Sequence, residues 1–297
     1  MNARGKRPIA LTIAGSDPGG GAGAQADLKT FAALGVYGYS ALTMVIAQNS
    51  RRVTGADAVS SAMLVSQIET LAEEARPAAV KTGAMGNARL VKAVARAIER
   101  LKLPAPVVDP VIVSSSGAKL LDPKGVRAMR RRLIPLARIV TPNIAEAESI
   151  AKIKIDSPAA MREAAKKIVA MGARAAVIKG GDSNNKEYAV DYFYAGRRYI
   201  ELSARRIAGG AHGTGCAFAA AIAAYLARGY ELEAAVRAAK RYVTAALACG
   251  FKLGAGRTVL DHFAIARQGG ARRKPARSKD APREDSASGA SRSARSP

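Results

Sequence analysis

The chain has 297 residues, 49% of them hydrophobic and 5% aromatic, with 47 Lys+Arg against 23 Asp+Glu for a formal charge of +24. No apolar run is long enough to span a membrane, the apolar stretch behind the basic N-terminus meets Asp17-Pro18 too soon for a signal-peptide core, and two cysteines cannot build a disulfide framework or a Cys-rich zinc site. These features predict a cytoplasmic globular chain whose surplus positive charge attracts polyanions.

Along the chain, apolar β-type runs alternate with Ala-rich helical stretches. Pro8–Ala14 reads as a strand, Ala22–Leu34 as a helix and Tyr39–Ala47 as a strand. Ser60–Glu74 has helical periodicity, Ala78–Lys81 is a short strand and Asn87–Leu103 a helix. Pro106–Asp109 and Arg138–Thr141 read as buried strands, with Pro123–Leu133 between them as a helix. Ser157–Met171 is helical and Ala173–Lys179 a strand; Tyr188–Tyr194 and Arg198–Ser203 flank Ala195-Gly196-Arg197 as a hairpin. Thr214–Ala227 and Glu231–Cys249 form two helices split at Gly229. The pattern predicts an α/β fold, with a mostly parallel sheet covered by helices on both faces, over residues 1–265. Residues 266–297 hold nine basic and three acidic residues and almost no large apolar ones, which predicts a disordered basic tail capable of nonspecific polyanion contact. Neither a nucleic-acid reader module nor aromatic residues interleaved with the basic ones are present.

Two glycine clusters stand out. Gly15-Ser16-Asp17-Pro18-Gly19-Gly20-Gly21-Ala22-Gly23 follows the first strand, where an open parallel sheet binds its ligands. It reads either as a loop letting backbone approach a ligand or as a tight strand–helix turn. A dinucleotide fingerprint is excluded because the second strand ends in Gln48-Asn49-Ser50 without an acidic residue, and no P-loop motif occurs. The second cluster, Gly209-Gly210-Ala211-His212-Gly213-Thr214-Gly215-Cys216, opens a helix. Its amides and the helix dipole suit the charge of a transferring phosphoryl group. Cys216 falls in the first turn, where the dipole is expected to lower its pKa toward a thiolate base; the bland reading is a small cysteine packed at a helix start. Cys249 reads as core.

Asp109 and Glu146 each follow a predicted strand, a placement that suits Mg²⁺ bridging substrate phosphates. An ordinary turn aspartate and a helix-N-terminal glutamate are the competing readings. Lys179-Gly180-Gly181, at another strand end, is placed to bring an ammonium near phosphates.

Together these segments carry a resemblance. Ala10–Ser50, Val108-Asp109-Pro110-Val111, Thr141-Pro142-Asn143 through Glu146, Lys179-Gly180-Gly181, His212-Gly213-Thr214-Gly215-Cys216 and Asp261-His262-Phe263 resemble, in order and spacing, bacterial hydroxymethylpyrimidine/phosphomethylpyrimidine kinases of the ribokinase-like superfamily. The likeness covers residues 8 to 263. It implies ATP-dependent phosphorylation of 4-amino-5-hydroxymethyl-2-methylpyrimidine and of its monophosphate, with Mg²⁺, in a homodimer. It also implies roles: Gly213, Thr214, Gly215 and Cys216 as anion hole, with Cys216 where superfamily relatives often carry a catalytic aspartate. Gln48, Gly15, Asp27, Val111 and Ala84 would line the pyrimidine pocket, and Lys179, Lys240 and Asn143 would serve the nucleotide. Asp109 and Glu146 would serve the metal.

Three departures from the family pattern bear on specificity. Ala84 stands where a pocket-wall methionine is usual, Ser115 replaces a lysine, and Gly210-Ala211 replace Asn-Thr. They leave two alternatives open: a pyridoxal/pyridoxine kinase of the same fold, and a poorly catalytic pyrimidine-binding regulatory protein.

Overall fold

The computed structural model describes residues 7–49, 52–114, 117–209, 211–254 and 256–265. Ser115, Gly210 and the expected tail over 266–297 lie outside the described residues. In chain order the first half contains β1 (Ile9–Ala14), α1 (Gly23–Ala33), β2 (Tyr37–Leu42), β3 (Met44–Gln48), β4 (Val53–Ala58), α2 (Ser61–Glu74), β5 (Ala79–Thr82), α3 (Ala88–Arg100), β6 (Val107–Val108) and α4 (Pro123–Ala128). The second half contains β7 (Ile139–Val140), α5 (Ile144–Ala151), α6 (Pro158–Ala170), β8 (Ala175–Ile178), β9 (Tyr188–Ala195), β10 (Arg198–Arg205), α7 (Thr214–Ala227), α8 (Leu232–Ala248), β11 (Phe251–Lys252) and β12 (Thr258–Val259). Side chains of Ser60, Asn87, Asp122, Asn143 and Ser157 accept N–H bonds in the first turns of α2 to α6, which fixes where those helices begin. Among the described residues no helix is long and apolar enough to cross a membrane.

The main sheet has the order β10-β9-β8-β7-β6-β5-β1-β2. Strands β2 through β8 in that sheet are parallel, and β9 and β10 add as an antiparallel hairpin. Strand alternation sorts the core into two layers. Leu11 and Ile13 of β1, with Ala176 and Ile178 of β8, pack against α2 to α6. Ala10 of β1, with Ala175 and Val177 of β8, packs against α1, α7 and α8. Helix α7 is Ala-rich and buried almost all round, and it lies across β1, β5 and β6. The same alternation turns Lys81 of β5 toward the α1 side, because its neighbours Ala79 and Val80 fall in the two opposite layers.

Two expectations from the sequence are corrected. Tyr39–Ala47 is two strands: β2 closes the edge of the main sheet and β3 leaves it to pair antiparallel with β4. The break is at buried Thr43, whose N–H donates to Ala14 O (3.0 Å) and whose Oγ1 donates to Ala84 O (2.6 Å). Both strands alternate, so periodicity runs through the break without marking it. Pro123–Leu133 is α-helical only to Ala128; Met129–Leu133 continues as a π-helical turn and Ile134–Leu136 as a 3₁₀ turn. Strands β4, β11 and β12 and helix α5 carried no reading of their own.

The last described segment is pinned by His262. Its carbonyl accepts the Tyr242 hydroxyl (3.0 Å), and Thr30 Oγ1 lies 3.1 Å from its Nδ1. Burial, with the nearby Lys29 charge adding to it, lowers its pKa to about 4. An unfolded histidine takes its proton near pH 6.5, so the unfolded chain binds more protons and stability falls as pH drops from there toward 4, by about 3 kcal/mol in all. Urea unfolding of His262→Gln at pH 7.5 and 4.5 should therefore show a smaller acid loss than the unaltered chain.

Candidate active site

Beyond the carboxyl ends of β1, β5, β6, β7 and β8 opens a cleft of about 1010 Å³. It is lined by Gly15, Gln48, Ala84, Asp109, Val111, Asn143, Glu146, Lys179, Gly213, Thr214, Gly215, Cys216 and Lys240, so of the residues given a site role from the sequence only Asp27 stays out of it, and Lys81, which gave no signal in the sequence, joins them. A smaller cavity of about 740 Å³ lies at Asp17 and His212, bordered by Asn49 and Arg52, and holds none of the Lys–carboxylate pairs described below.

The first glycine loop is a support and leaves few amides for a ligand. Asp17 Oδ1 accepts from Gly19 N–H (3.0 Å), and Oδ2 accepts from Gly21 N–H (3.1 Å) and Ala22 N–H (2.7 Å). His212 Nε2 lies 3.2 Å from Oδ2. Burial works against the charge, but hydrogen bonding, led by His212, outweighs it and holds the carboxyl below its usual range. The second loop rests on the first. Gly213 caps α7 with φ 83°, and a Cβ there would meet Gly21 O at 1.8 Å. No other residue can seat the first turn of α7 so close to that loop. The seat aims the amide end of a 14-residue helix into the cleft.

Across from this helix end stands a charged cluster. Lys179 Nζ lies 3.2 Å from Asp109 Oδ1, which also faces Thr141 Oγ1 at 3.4 Å. Burial works against the Lys179 ammonium, but Asp109 and Glu146 outweigh it and raise its pKa. Glu146 spends its two oxygens on backbone, accepting from Ile112 N–H (3.2 Å) and from Asn143 N–H (2.9 Å), while Asn143 Oδ1 accepts from Glu146 N–H (2.8 Å) in a capping box. Its pKa is raised by burial against the pull of Lys179. Among the described residues no three His, Cys, Asp or Glu side chains gather as a complete metal cage. Mg²⁺ needs only one or two carboxylates when water and phosphate supply the rest. Asp109 Oδ2, which faces Gly215 and the α7 amides, meets that requirement.

Lys240 lies in the cleft wall with its charge already paired. Its Nζ is 2.8 Å from Asp191 Oδ2 and donates to Ala189 O at 3.1 Å, while Asp191 Oδ1 accepts Gly180 N–H at 2.9 Å. The chain Lys240–Asp191–Gly180 thus fixes the loop that carries Lys179. Arg206, which gave no signal in the sequence, donates to the carbonyls of Gly181, Ser183 and Asn185 and holds the β8–β9 loop against β10.

The other end of the cleft is apolar. Met44, Ile46 and Ala84 form a small cluster with Val53, Val111 and Leu120. Val111 has φ 39°, a left-handed conformation that strains a β-branched residue by about 1–3 kcal/mol. The Ile112–Glu146 bond next to it helps hold that strain. Asp27, expected in this pocket, is fully buried beneath it: Oδ2 is 2.7 Å from Lys81 Nζ and accepts from Thr12 Oγ1 at 2.6 Å. It faces α7 and the sheet because α1 packs on the layer into which Thr12 and Lys81 point. Burial opposes the Lys81 ammonium, but Asp27 and, less strongly, Cys216 and Asp109 outweigh it and raise its pKa.

The thiol of Cys216 also departs from expectation. Burial among neighbouring atoms pushes its pKa up to about 12; Lys81 pulls it down, and Asp109 and Asp27 push it further up. A helix terminus contributes about 0.3–1 kcal/mol, too little to reverse desolvation beside two carboxylates. Cys249, read as core, is exposed.

A mostly parallel sheet between helical layers, a glycine-capped helix aimed into a cleft at the strand ends, and a Lys–Asp pair opposite it define a ribokinase-like phosphotransferase. The family model for phosphomethylpyrimidine kinase matches residues 17–261, and the chain belongs to that family. Hydroxymethylpyrimidine/phosphomethylpyrimidine kinase of Synechococcus elongatus is 44% identical over 257 residues, covering 86% of this chain and 97% of that protein. Among solved structures, an ADP complex of Bacillus subtilis pyridoxal kinase superposes with a TM-score of 0.82 at 37% identity, covering 88% of this chain and all of that one. Phosphomethylpyrimidine kinase of Clostridium difficile superposes with a TM-score of 0.72 at 37% identity, covering 80% and 98%.

The high proton affinity of Cys216 has a direct chemical readout. Iodoacetamide at pH 8 should label exposed Cys249 well before Cys216, as followed by peptide mass spectrometry; equal rates would place the Cys216 thiol far below 12.

Proposed function

We propose that this chain transfers the γ-phosphoryl group of ATP to the hydroxymethyl group of 4-amino-5-hydroxymethyl-2-methylpyrimidine, and then to its monophosphate. The observation that supports it most is the division of one cleft into two ends. The apolar end (Ile46, Ala84, Val111, Leu120) has Gln48 at its rim, and the charged end has Lys179 and Asp109 facing the amides of Gly213–Cys216. A flat aromatic ring fits the first, and Gln48, whose amide both donates and accepts, suits an aminopyrimidine edge. Nucleotide phosphates fit the second. The ADP complex of a relative 37% identical supports the nucleotide assignment.

In this reading the α7 amides hold the transferring group, whose loose transition state spreads charge over its equatorial oxygens. Lys179 balances charge on the nucleotide side. Asp109, with Glu146 behind it, would hold Mg²⁺, which when bound neutralises charge on the phosphates. The thiolate form of Cys216 stands at the hydroxyl and takes its proton as the new P–O bond forms and the P–O bond to the ADP leaving group breaks. Lys81, held by Asp27, offsets the negative charge that sulfur carries before it takes the proton. The chain acts in the cytoplasm as a homodimer.

A second reading, transfer to the hydroxymethyl group of pyridoxal, is favoured by the small Ala84 at the apolar wall and by the likeness to a pyridoxal kinase. Product masses with Mg-ATP and each alcohol in parallel separate the two. Diphosphate from the pyrimidine supports the first, and pyridoxal phosphate alone supports the second.

Two kinetic outcomes follow. Because the Cys216 thiol titrates near 12, kcat should keep rising with pH through 9, and Cys216→Ala should lower kcat by about 10²-fold and flatten that rise. A plateau near neutrality in the unaltered chain assigns the proton to another group. Gln48→Leu should raise the pyrimidine KM about tenfold while sparing kcat.

A further inference from the structure

We infer that Asp191 is a positioning residue for the nucleotide side of the reaction, its carboxylate setting where the Lys179 ammonium stands while Lys240 serves that carboxylate instead of the phosphates; the inference rests on the functional reading above. Asp191 belongs to β9 and is 4% exposed. The β8–β9 ladder runs from Ala175 opposite Ala195 to Ile178 opposite Tyr192 and ends there. The next N–H, that of Lys179, points away from β9 and donates to Pro142 O at 2.9 Å. The one after it, that of Gly180, points back and meets Asp191 Oδ1 at 2.9 Å, a side-chain oxygen in place of a ladder carbonyl. The approach is close enough that a Cβ on Gly180 would lie 1.9 Å from Val190 O. These two bonds fix the peptide planes on either side of the Lys179 Cα, and with them the direction in which its side chain leaves the backbone.

That direction has little tolerance. Lys179 Nζ is 3.2 Å from Asp109 Oδ1, and a Cβ on Gly215 would lie 3.0 Å from the same nitrogen. The ammonium thus stands between the Asp109 carboxylate and the first turn of α7, where the phosphates are read to bind. The carboxylate that fixes the peptide lies in the wall of the same cleft, and alone it would repel an anionic ligand. Lys240 of α8 removes that conflict. Its Nζ is 2.8 Å from Asp191 Oδ2 and donates to Ala189 O at 3.1 Å, so the pair holds β9 and Gly180 without adding net charge to the cleft.

Calorimetric titration of the full chain with ADP tests this, because it reads the nucleotide side without turnover. Two double variants are compared, Asp191→Asn with Lys240→Met and Asp191→Ala with Lys240→Met. Both are neutral like the pair they replace and leave no buried charge unpaired, and they differ in whether Gly180 N–H keeps an acceptor. The Asn variant should bind ADP within about threefold of the unaltered chain, and the Ala variant about tenfold more weakly. Adding Lys179→Met to the Ala variant should weaken binding no further than Lys179→Met does alone. Equal losses in the two double variants assign Lys240 to the phosphates and overturn the proposal, as does a loss in the Ala variant that adds to that of Lys179→Met. Should the Ala variant lack a cooperative melting transition, Asp191→Leu with Lys240→Met, which fills the space without an acceptor, is titrated in its place. The Asn variant decides by itself as well, since a loss there well beyond about threefold overturns the proposal. An unaltered chain that takes up no ADP overturns the functional reading, and this inference with it.

Discussion

The contact between two backbones, Gly21 carbonyl against Gly213, is the constraint from which the site follows. It leaves no room for a Cβ, which would approach to 1.8 Å, and it requires φ 83° at Gly213. Once it is made, the first turn of α7 has one position relative to β1, and its amides face the cleft. The Ala-rich sequence of α7 serves the same end. Small side chains let the helix lie close on β1, β5 and β6, so its N-terminus comes down level with the strand ends that carry Lys81 and Asp109. The glycines of the first loop and the alanines of the last layer are thus parts of one fit between backbones.

Charge in the cleft is arranged in buried pairs. Lys81 is held by Asp27, Lys179 by Asp109 and Lys240 by Asp191. Each pair desolvates two ions, a costly arrangement that a structural core rarely retains. Here the pairs keep three cations fixed before any ligand arrives, so little reorganisation accompanies the charge movement of phosphoryl transfer. Burial, with the Asp109 and Asp27 carboxylates adding to it, raises the pKa of the Cys216 thiol. Its helix-terminal place gave the opposite expectation, because a sequence displays the local dipole and hides charges brought in by β5, β6 and α1.

Most of the frame was legible in the residues. The runs that became β1, β5 and β8 are short and apolar, the longer helices show in their Ala-rich periodicity, and the hairpin of β9 and β10 follows its turn. What escaped was decided by contacts distant in sequence. Thr43 ends β2 because Ala14 and Ala84 take its bonds. Helix α4 turns π-helical inside an unbroken helical pattern. Asp17, His212, Lys81 and Arg206 gave little signal because their roles depend on partners tens to hundreds of residues away.

The sequence by itself determined the alternation of strands and helices, the positions of the two glycine clusters, and the list of residues at strand ends, since periodicity and strand-end placement are local properties. The tertiary structure decided which of them face the cleft and which support it. Asp27 went beneath the floor, Lys240 was paired with Asp191, the first glycine loop gave its amides to Asp17, and burial raised the pKa of Cys216. Each outcome turns on burial and on the nearest opposite charge, and both are fixed only when elements from separate parts of the chain pack together.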